Sequence, residues 1–523
     1  MRINYLRKRN RRMAARFLRF TVLDKGENMN DDDKPLIGDI AEEAPQETAE
    51  ETSAETEASA KIRKGFSSKL GFVLAAAGSA VGLGNLWRFP YLAAKYGGGI
   101  FLLCYVALAV TIGFTLLVLE IAIGRKTGKS VVGAFTSLNK KFKWFGFVCL
   151  FVPVIIVPYY SVIGGWVLRY IVAFFTGNTQ LLGSNADVTT SGVFFSEFIA
   201  NPWQPLLFFL LFSAATVLIV VFGVQKGIER ISKILMPLLA VIAIFLMIYV
   251  MCQPGALEGV KKLFVPDFSE FSFATLLAAL GQLFYSMSLA MGIMITYGSY
   301  MKKSASITKS ARQISICDTA FAIVAALIII PSIFAFSASP DEVMNSSGPS
   351  LMFIQLPAVF NNLPGGRMIG AIFFILVFFA ALTSSISLVE TIVSVLRENL
   401  KWSRLKACLV VFGFIIVVGS LSSLGYGPLS FIHIGSGSNE YMILDMFDYF
   451  SNSILMPIVA IITCLIAGHF MDTHTLMDEI GLRKGGGYRK YYLVMVRYIA
   501  PICMLAILVC NVLQLIFPAI FKF

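Results

Sequence analysis

The stretch Leu74-Ala-Ala-Ala-Gly78-Ser-Ala-Val-Gly82-Leu-Gly84-Asn85-Leu-Trp-Arg88-Phe-Pro90 is apolar enough to cross a membrane, yet it holds glycines, an amide and a guanidinium. A helix facing lipid tolerates none of these in mid-span. A second run, Gly281-Gln282-Leu-Phe-Tyr285-Ser286-Met-Ser288-Leu-Ala-Met-Gly292, is interrupted in the same way. Peptide groups that leave the helix at membrane depth must line a cavity or lie inside protein, because hydrocarbon cannot hydrogen-bond the freed amides and carbonyls. Two broken helices at matching places in the two halves of a chain therefore point to a solute site.

The rest of the chain fits a membrane setting, since 57% of its 523 residues are hydrophobic and only 14% charged, outside the range of soluble domains. Apolar runs able to cross about 30 Å of hydrocarbon lie near 69–94, 98–124, 148–176, 205–222, 231–252, 274–301, 314–338, 367–396, 404–424, 441–470 and 490–517. The expected fold is thus an all-α integral membrane protein of about eleven spans. Basic residues gather on alternate loops: Arg125 to Lys143, Lys226 to Lys233, Lys302 to Arg312, Arg397 to Lys406, and Arg483 to Lys490. Such loops face the cytoplasm. The reading is a multi-pass protein of the cell (inner) membrane with its amino terminus inside and its carboxyl terminus outside.

Residues 1–60 stand apart, as a basic block (Arg7-Lys-Arg-Asn-Arg-Arg12) followed by an acidic Ala/Thr/Glu-rich tract from Glu27 to Ala60. That composition is read as a disordered cytoplasmic tail with no signal-peptide core. The cysteines lie almost wholly in apolar runs without a CxxC pair, and His433, His469 and His474 show no ligand spacing. Disulfides, zinc and haem are not supported. A phosphate-cradling Gly-Lys-Ser/Thr loop is lacking too, so ATP-driven pumping has no nucleotide site in this sequence. Nothing suggests nucleic acid as a partner, and the residues do not choose between monomer and oligomer.

The broken runs are the first and sixth spans, which divides the chain into 61–253 (spans one to five), 254–471 (spans six to ten) and 472–523 with a last helix. A unit of five spans ends on the side opposite its start, so a second copy is upside down, the inverted-repeat arrangement with a site at mid-membrane. Gly78-xxx-Gly82 and Ala80-xxx-Gly84 also read as small-xxx-small packing motifs. Packing alone leaves Asn85 and Arg88 unexplained, since a charge at the bilayer centre costs about 2.5 kcal/mol or more without a partner or water path. Unwound carbonyls suit a hard cation, and half-helix amino termini suit an anion. A zwitterion together with sodium satisfies both.

At this point the sequence resembles a known family. GSAVGLGNLWRFPYLAAKYGGGIF (78–101), GQLFYSMSLAMG (281–292), ITYGSYM (295–301), GPSLMFIQLPAVFNNLPGG (348–366) and FFAALTSSISLVE (378–390) are similar to motifs of the neurotransmitter:sodium symporter family, particularly its bacterial, eleven-helix amino-acid transporters. The resemblance runs from about Arg63 to the end. It implies sodium-coupled import of amino acids by alternating access, with two sodium ions, and no enzymatic activity.

Carried over residue by residue, the resemblance places one sodium ion on the Ala80 carbonyl, Asn85, Ser286 and Asp318. The second would be held by carbonyls of Gly78, Val81 and Ala380 and the hydroxyls of Thr383 and Ser384. Backbone at Gly82, Leu83 and Gly84 would meet the substrate with the Tyr160 hydroxyl on its carboxylate, and Ile156, Tyr285, Ser288, Ala290, Met291 and Leu388 would wall its side chain. In monoamine-carrying relatives an aspartate takes the place of Gly82, so glycine implies a substrate bringing its own carboxylate. The wall suits hydrophobic or aromatic L-amino acids, with methionine tolerant of shape. Asp318 implies independence of chloride, because chloride-dependent relatives have neutral groups and a bound anion there.

Arg88 and Asp448 correspond to the family's outer gate, and Arg63 and Glu398, supported by Tyr300, to its inner gate. Phe66 departs from the tryptophan commoner beside the inner pair. Gly227 and Pro237 resemble a glycine-proline hinge at the start of the fifth span. Two other functions fit the same architecture: a proton-coupled amino-acid permease in which Asp318 titrates, and a sensor or channel that binds an amino acid without concentrating it.

Overall fold

Helices in this protein outrun the apolar stretches that announce them. The computed structural model describes residues 65–182, 187–337, 339–344, 349–435, 440–471, 473–482 and 486–516. The seventh span is Ile307–Phe336, the third Lys140–Thr176 and the fifth Val224–Met251, each starting about seven or eight residues earlier than its hydrophobic run. Those extra turns carry Lys140, Lys141, Lys143, Lys226, Arg230, Lys309 and Arg312. An apolar count finds only the hydrocarbon; the helix continues while long basic side chains reach headgroups and water. The 1–60 tail and Arg63 lie outside the described residues.

The described residues contain nine unbroken helices long and apolar enough to span: the three above, Gly99–Thr127 (second), Gln204–Val221 (fourth), Gly366–Leu400 (eighth), Arg404–Leu424 (ninth), Ile443–Phe470 (tenth) and Gly487–Ile516 (eleventh). The first span is Lys69–Ala80 followed by Gly84–Lys95, bent by 51° at the break. Phe273–Ser286 and Ile293–Ser299 make up the sixth, on either side of a non-helical segment. The fold is therefore the expected all-α membrane protein with first and sixth helices broken. A small departure is an antiparallel pairing of His433–Ile434 with Tyr441–Met442 between the ninth and tenth spans.

The eighth span is enclosed most, with 78% of its most apolar window buried against 17% for the eleventh. It packs on the first, third, fourth and fifth spans. Ala380, Ala381, Ser384, Ser385 and Ser387 allow this close approach, as small residues do between membrane helices. On the outer side Phe353, in the short helical stretch Leu351–Asn361, packs among Trp166, Tyr170 and Phe195 with ring centroids 5.7, 5.1 and 5.5 Å away.

At the end of the second span Arg125 donates to Glu479 Oε1 at 2.6 Å and also bonds the Ala305 carbonyl, while Lys303 reaches the same carboxylate at 3.0 Å. This clasp joins the second span to the loops after the sixth and tenth. Partial burial pushes the Glu479 carboxyl up, but hydrogen bonds and charge from Lys303 and Arg125 win and hold it below its ordinary range. A depressed folded-state pKa stabilises above the unfolded value and is lost as pH falls through the folded one. Thermal melts of Glu479→Gln should show a deficit that is full at neutral pH and shrinks once pH drops below about 4.

Candidate functional site

The two breaks meet because carbonyls freed in the first are answered by side chains of the sixth and eighth spans. After Ala80 the chain turns extended at Val81, with ψ 95°. In the sixth span Ser288, Ala290 and Gly292 all adopt positive φ, at 53°, 61° and 71°. That conformation strains residues bearing a side chain and persists only where surrounding contacts enforce it. Here Ser288 Oγ donates to the Ser79 carbonyl at 2.9 Å, and Ser79 Oγ lies 2.6 Å from Ser387 Oγ. Ser384 Oγ bonds the same Ser79 carbonyl at 3.0 Å and approaches those of Gly78 and Val81 at 3.4 and 3.5 Å.

A cavity opens between the breaks, lined by Gly82, Leu83 and Gly84 on one side and Ile156, Tyr160, Tyr285, Ser288, Met291 and Leu388 on others. The Tyr160 hydroxyl accepts the Leu83 N–H at 3.5 Å. A Cβ at position 82 would stand 2.7 Å from Ser384 Oγ and 3.3 Å from the Tyr160 hydroxyl, and one at position 84 would collide with the Tyr285 ring. Both glycines are thus required for close approach. Ala290, expected on the wall, is not among the lining residues; its N–H points away and bonds Glu120 Oε1 at 2.7 Å. The positive φ at that position turns it from the cavity.

Three of the residues expected around the first sodium ion, Asn85, Ser286 and Asp318, converge. Asn85 Nδ2 donates to Asp318 Oδ1 at 2.8 Å and to Ser286 Oγ at 3.1 Å, and Ser286 Oγ donates to the same carboxylate oxygen at 2.7 Å. Asn85 Oδ1, expected to face the ion, instead accepts the Gly82 N–H at 3.2 Å. Tyr105, in the second span and absent from the expected set, donates to Asp318 Oδ2 and Ser286 Oγ, each at 3.2 Å. Gln282 donates to the Gly84 carbonyl at 3.0 Å. No motif flags Tyr105, whose role depends on a contact 213 residues away in sequence.

At the second expected site Thr383 Oγ1 bonds carbonyls of its own helix, Phe379 at 3.0 Å and Ala380 at 3.1 Å, the usual habit of a mid-helix threonine. It nonetheless faces the first span, since a Cβ on Gly78 would lie 3.3 Å from Thr383 Cβ. Of these two hydroxyls, that of Ser384 reaches across to carbonyls of the first span.

Of the residues expected at the two gates, Arg88, Asp448, Tyr300 and Glu398 are described, while Arg63 lies outside the described residues. Asp448 takes a hydrogen bond from Asn452 Nδ2 at 2.6 Å, while the Arg88 guanidinium sits 5.4 Å from the Tyr285 ring centroid. Arg88 and Asp448 do not meet in a direct ion pair; the aromatic face holds the arginine instead. Tyr300 donates to Glu390 Oε1 at 2.8 Å. Glu390, fully buried in the eighth span, pairs with Arg404, whereas Glu398 accepts the Ser130 N–H at 2.6 Å. Glu120 and Glu390 are acids inside apolar runs, the same signal that singles out Asp318, yet neither belongs to the expected set.

Replacing Tyr105 by phenylalanine removes hydrogen bonds to Asp318 and Ser286, the one to the carboxylate worth roughly 1.5–3 kcal/mol. The sodium concentration that half-saturates ligand-induced thermal stabilisation should rise on the order of tenfold.

An enclosed site between two broken spans, built from loosened carbonyls, hydroxyls, an amide and one buried carboxylate, defines a membrane transporter of the broken-helix class. The chain belongs to the sodium:neurotransmitter symporter family, whose model matches residues 63–191 and 197–522. An uncharacterized sodium-dependent transporter of Bacillus subtilis, YhdH, is 36% identical over 84% of this chain and 96% of its own length. An uncharacterized sodium-dependent transporter of Haemophilus influenzae is 32% identical over 86% and 98%. The crystal structure of MhsT in complex with L-phenylalanine superposes with a TM-score of 0.76 at 39% identity, covering 86% of this chain and 99% of MhsT. The protein is accordingly a membrane-embedded, sodium-coupled symporter of a small molecule, a transporter rather than an enzyme.

Proposed function

We propose that the protein imports amino acids, chiefly hydrophobic or aromatic L-amino acids, together with two sodium ions and without chloride. The observation that carries this reading is the polarity of the cavity. Gly82, Leu83 and the Tyr160 hydroxyl form one end, Ile156, Met291 and Leu388 stand elsewhere on its wall, and no lining residue is acidic. A substrate carboxylate fits the first and an apolar side chain the second. The L-phenylalanine bound by MhsT supports the same assignment.

Sodium and substrate are coupled through Asn85 in this reading. Sodium at the first site turns the amide so that Oδ1 faces the ion, which frees the Gly82 N–H it now occupies. That N–H, at the edge of the cavity, then meets the carboxylate. Asp318 supplies the negative charge beside the ion, and Ser384 with the Gly78 and Val81 carbonyls receives the second ion, joined by Ala380 and Thr383. Arg88, Tyr285 and Asp448 close the outer side, and Arg63 with Glu398 the inner side. The amino terminus is cytoplasmic and the carboxyl terminus external, with 61–253 and 254–471 as the inverted repeats. Two sodium ions with a neutral zwitterion gain about 4.6 kcal/mol from 100 mV, enough for roughly thousandfold accumulation.

A thermal-shift screen of the twenty amino acids with and without sodium tests the reading, because a ligand of the folded state stabilises it by mass action. Hydrophobic and aromatic amino acids should raise the melting temperature in sodium and not in choline. Proteoliposome uptake should be uphill under a sodium gradient and unchanged when gluconate replaces chloride. Uptake that persists in choline under a proton gradient would favour the proton-coupled permease, and binding without accumulation the sensor.

A further inference from the structure

Glu120 lies in the second span, 4% exposed, and meets the sixth span at its unwound centre. Its Oε1 accepts the Ala290 N–H at 2.7 Å, while Oε2 is buried without a hydrogen-bond partner. With a φ of 61° Ala290 stands outside any helix, so the carboxyl group is what satisfies its amide.

The groups that face Glu120 from neighbouring spans are the thiols of Cys149 in the third and Cys464 in the tenth. Cys149 packs on the break itself, since a Cβ on Gly292 would lie 3.3 Å from its sulfur. Tyr492 of the eleventh span spends its hydroxyl on the Thr115 carbonyl, at 3.2 Å. Thiols are weak donors and bring no positive charge. Among the described residues no cation pairs with Glu120. An ionised carboxylate here would be a buried charge with half its acceptor sites unmet, whereas the neutral acid leaves only one unpaired O–H, a far smaller penalty.

We propose that Glu120 is a proton-binding site, distinct from Asp318, that holds a proton while the break of the sixth span is packed against the second and releases it when that contact opens toward the cytoplasm. The proposal rests on the symport reading above. The O–H bond at Oε2 breaks as water enters, the proton passes to that water, and closing reverses both steps without another reactant. Acid on the inner side therefore holds the break shut, and alkali there speeds its opening.

Proteoliposomes with a fixed sodium gradient and fixed external pH, loaded at lumen pH values across the neutral range, test this. Wild-type initial uptake should rise severalfold as the lumen becomes alkaline. Glu120→Gln, which keeps an acceptor for Ala290 and cannot ionise, should show a flat profile while retaining a sodium-dependent thermal shift. Glu120→Asp should keep a pH dependence with a displaced midpoint, and it decides the matter if the glutamine variant does not fold. A Glu120→Gln profile superimposed on the wild type, a wild-type rate indifferent to lumen pH, or an unmoved Glu120→Asp midpoint overturns the proposal. Failure of the symport reading would appear separately, as wild-type ligand binding unaffected by replacing sodium with choline.

Discussion

Uptake should fall to near background when Gly82 is replaced by alanine. The new methyl group would stand 2.7 Å from Ser384 Oγ and 3.3 Å from the Tyr160 hydroxyl, where neither neighbour can withdraw without loss. Ser384 is tied to the Ser79 carbonyl, and Tyr160 is buried at 4% exposure. Overpacking of this kind costs about 1–3 kcal/mol, or on the order of 10- to 100-fold in affinity. Displacing Ser384 would add a loss in sodium affinity. Sodium and ligand titrations by thermal shift read both. Gly413→Ala is the control, since a Cβ there meets nothing within 4 Å, and it should transport normally. A Gly82→Ala protein with wild-type affinity would mean that the substrate does not approach this backbone.

The second large effect is expected at Glu229. This carboxylate, 1% exposed at the start of the fifth span, accepts the Ser67 N–H at 2.7 Å, Ser67 Oγ at 2.5 Å, Ser68 Oγ at 3.1 Å and Lys233 Nζ at 2.7 Å. It pins the beginning of the first span to the turn Val224–Glu229, which contains Gly227. Release of the first span from this turn should therefore require breaking the bonds to Glu229. Glu229→Gln keeps the shape but loses the charge and about half the acceptor capacity, about 2–3 kcal/mol. The ratio of inward-open to closed protein should rise roughly 30- to 100-fold. Labelling of a cysteine placed at Met236, buried beside Gly78, reports this, with the exposed native thiols Cys252 and Cys317 changed to serine. Unchanged labelling would show that the latch is elsewhere.

How much of this was readable beforehand depended on the range of the interaction. The breaks were visible because glycines, an amide and an arginine in an apolar run cannot be reconciled with lipid. Asn85, Ser286 and Asp318, named from the resemblance as ligands of one ion, are linked by hydrogen bonds of 2.7–3.1 Å. The gates were less legible. Tyr300 bonds Glu390, an acid outside the expected set, and the Arg88 guanidinium lies over the Tyr285 ring. Pairing a tyrosine with an acid on another span requires the depth of one helix relative to the other, which residue spacing does not contain. Tyr105, Glu120 and Glu229 were missed for the same reason, since their partners are 213, 170 and 162 residues away.

The sequence alone determined the membrane setting, the number of spans and the two places where the helix fails, because each follows from the cost of putting polar groups into hydrocarbon. Tertiary structure decided which freed group answers which. Ser384 and Ser288 share the Ser79 carbonyl, Asn85 turns its oxygen to Gly82, and Glu120 holds Ala290. Those choices arise only when separate spans pack at a fixed depth and rotation, because a hydrogen bond forms or fails over a few tenths of an ångström while helical periodicity locates a side chain only to within a turn.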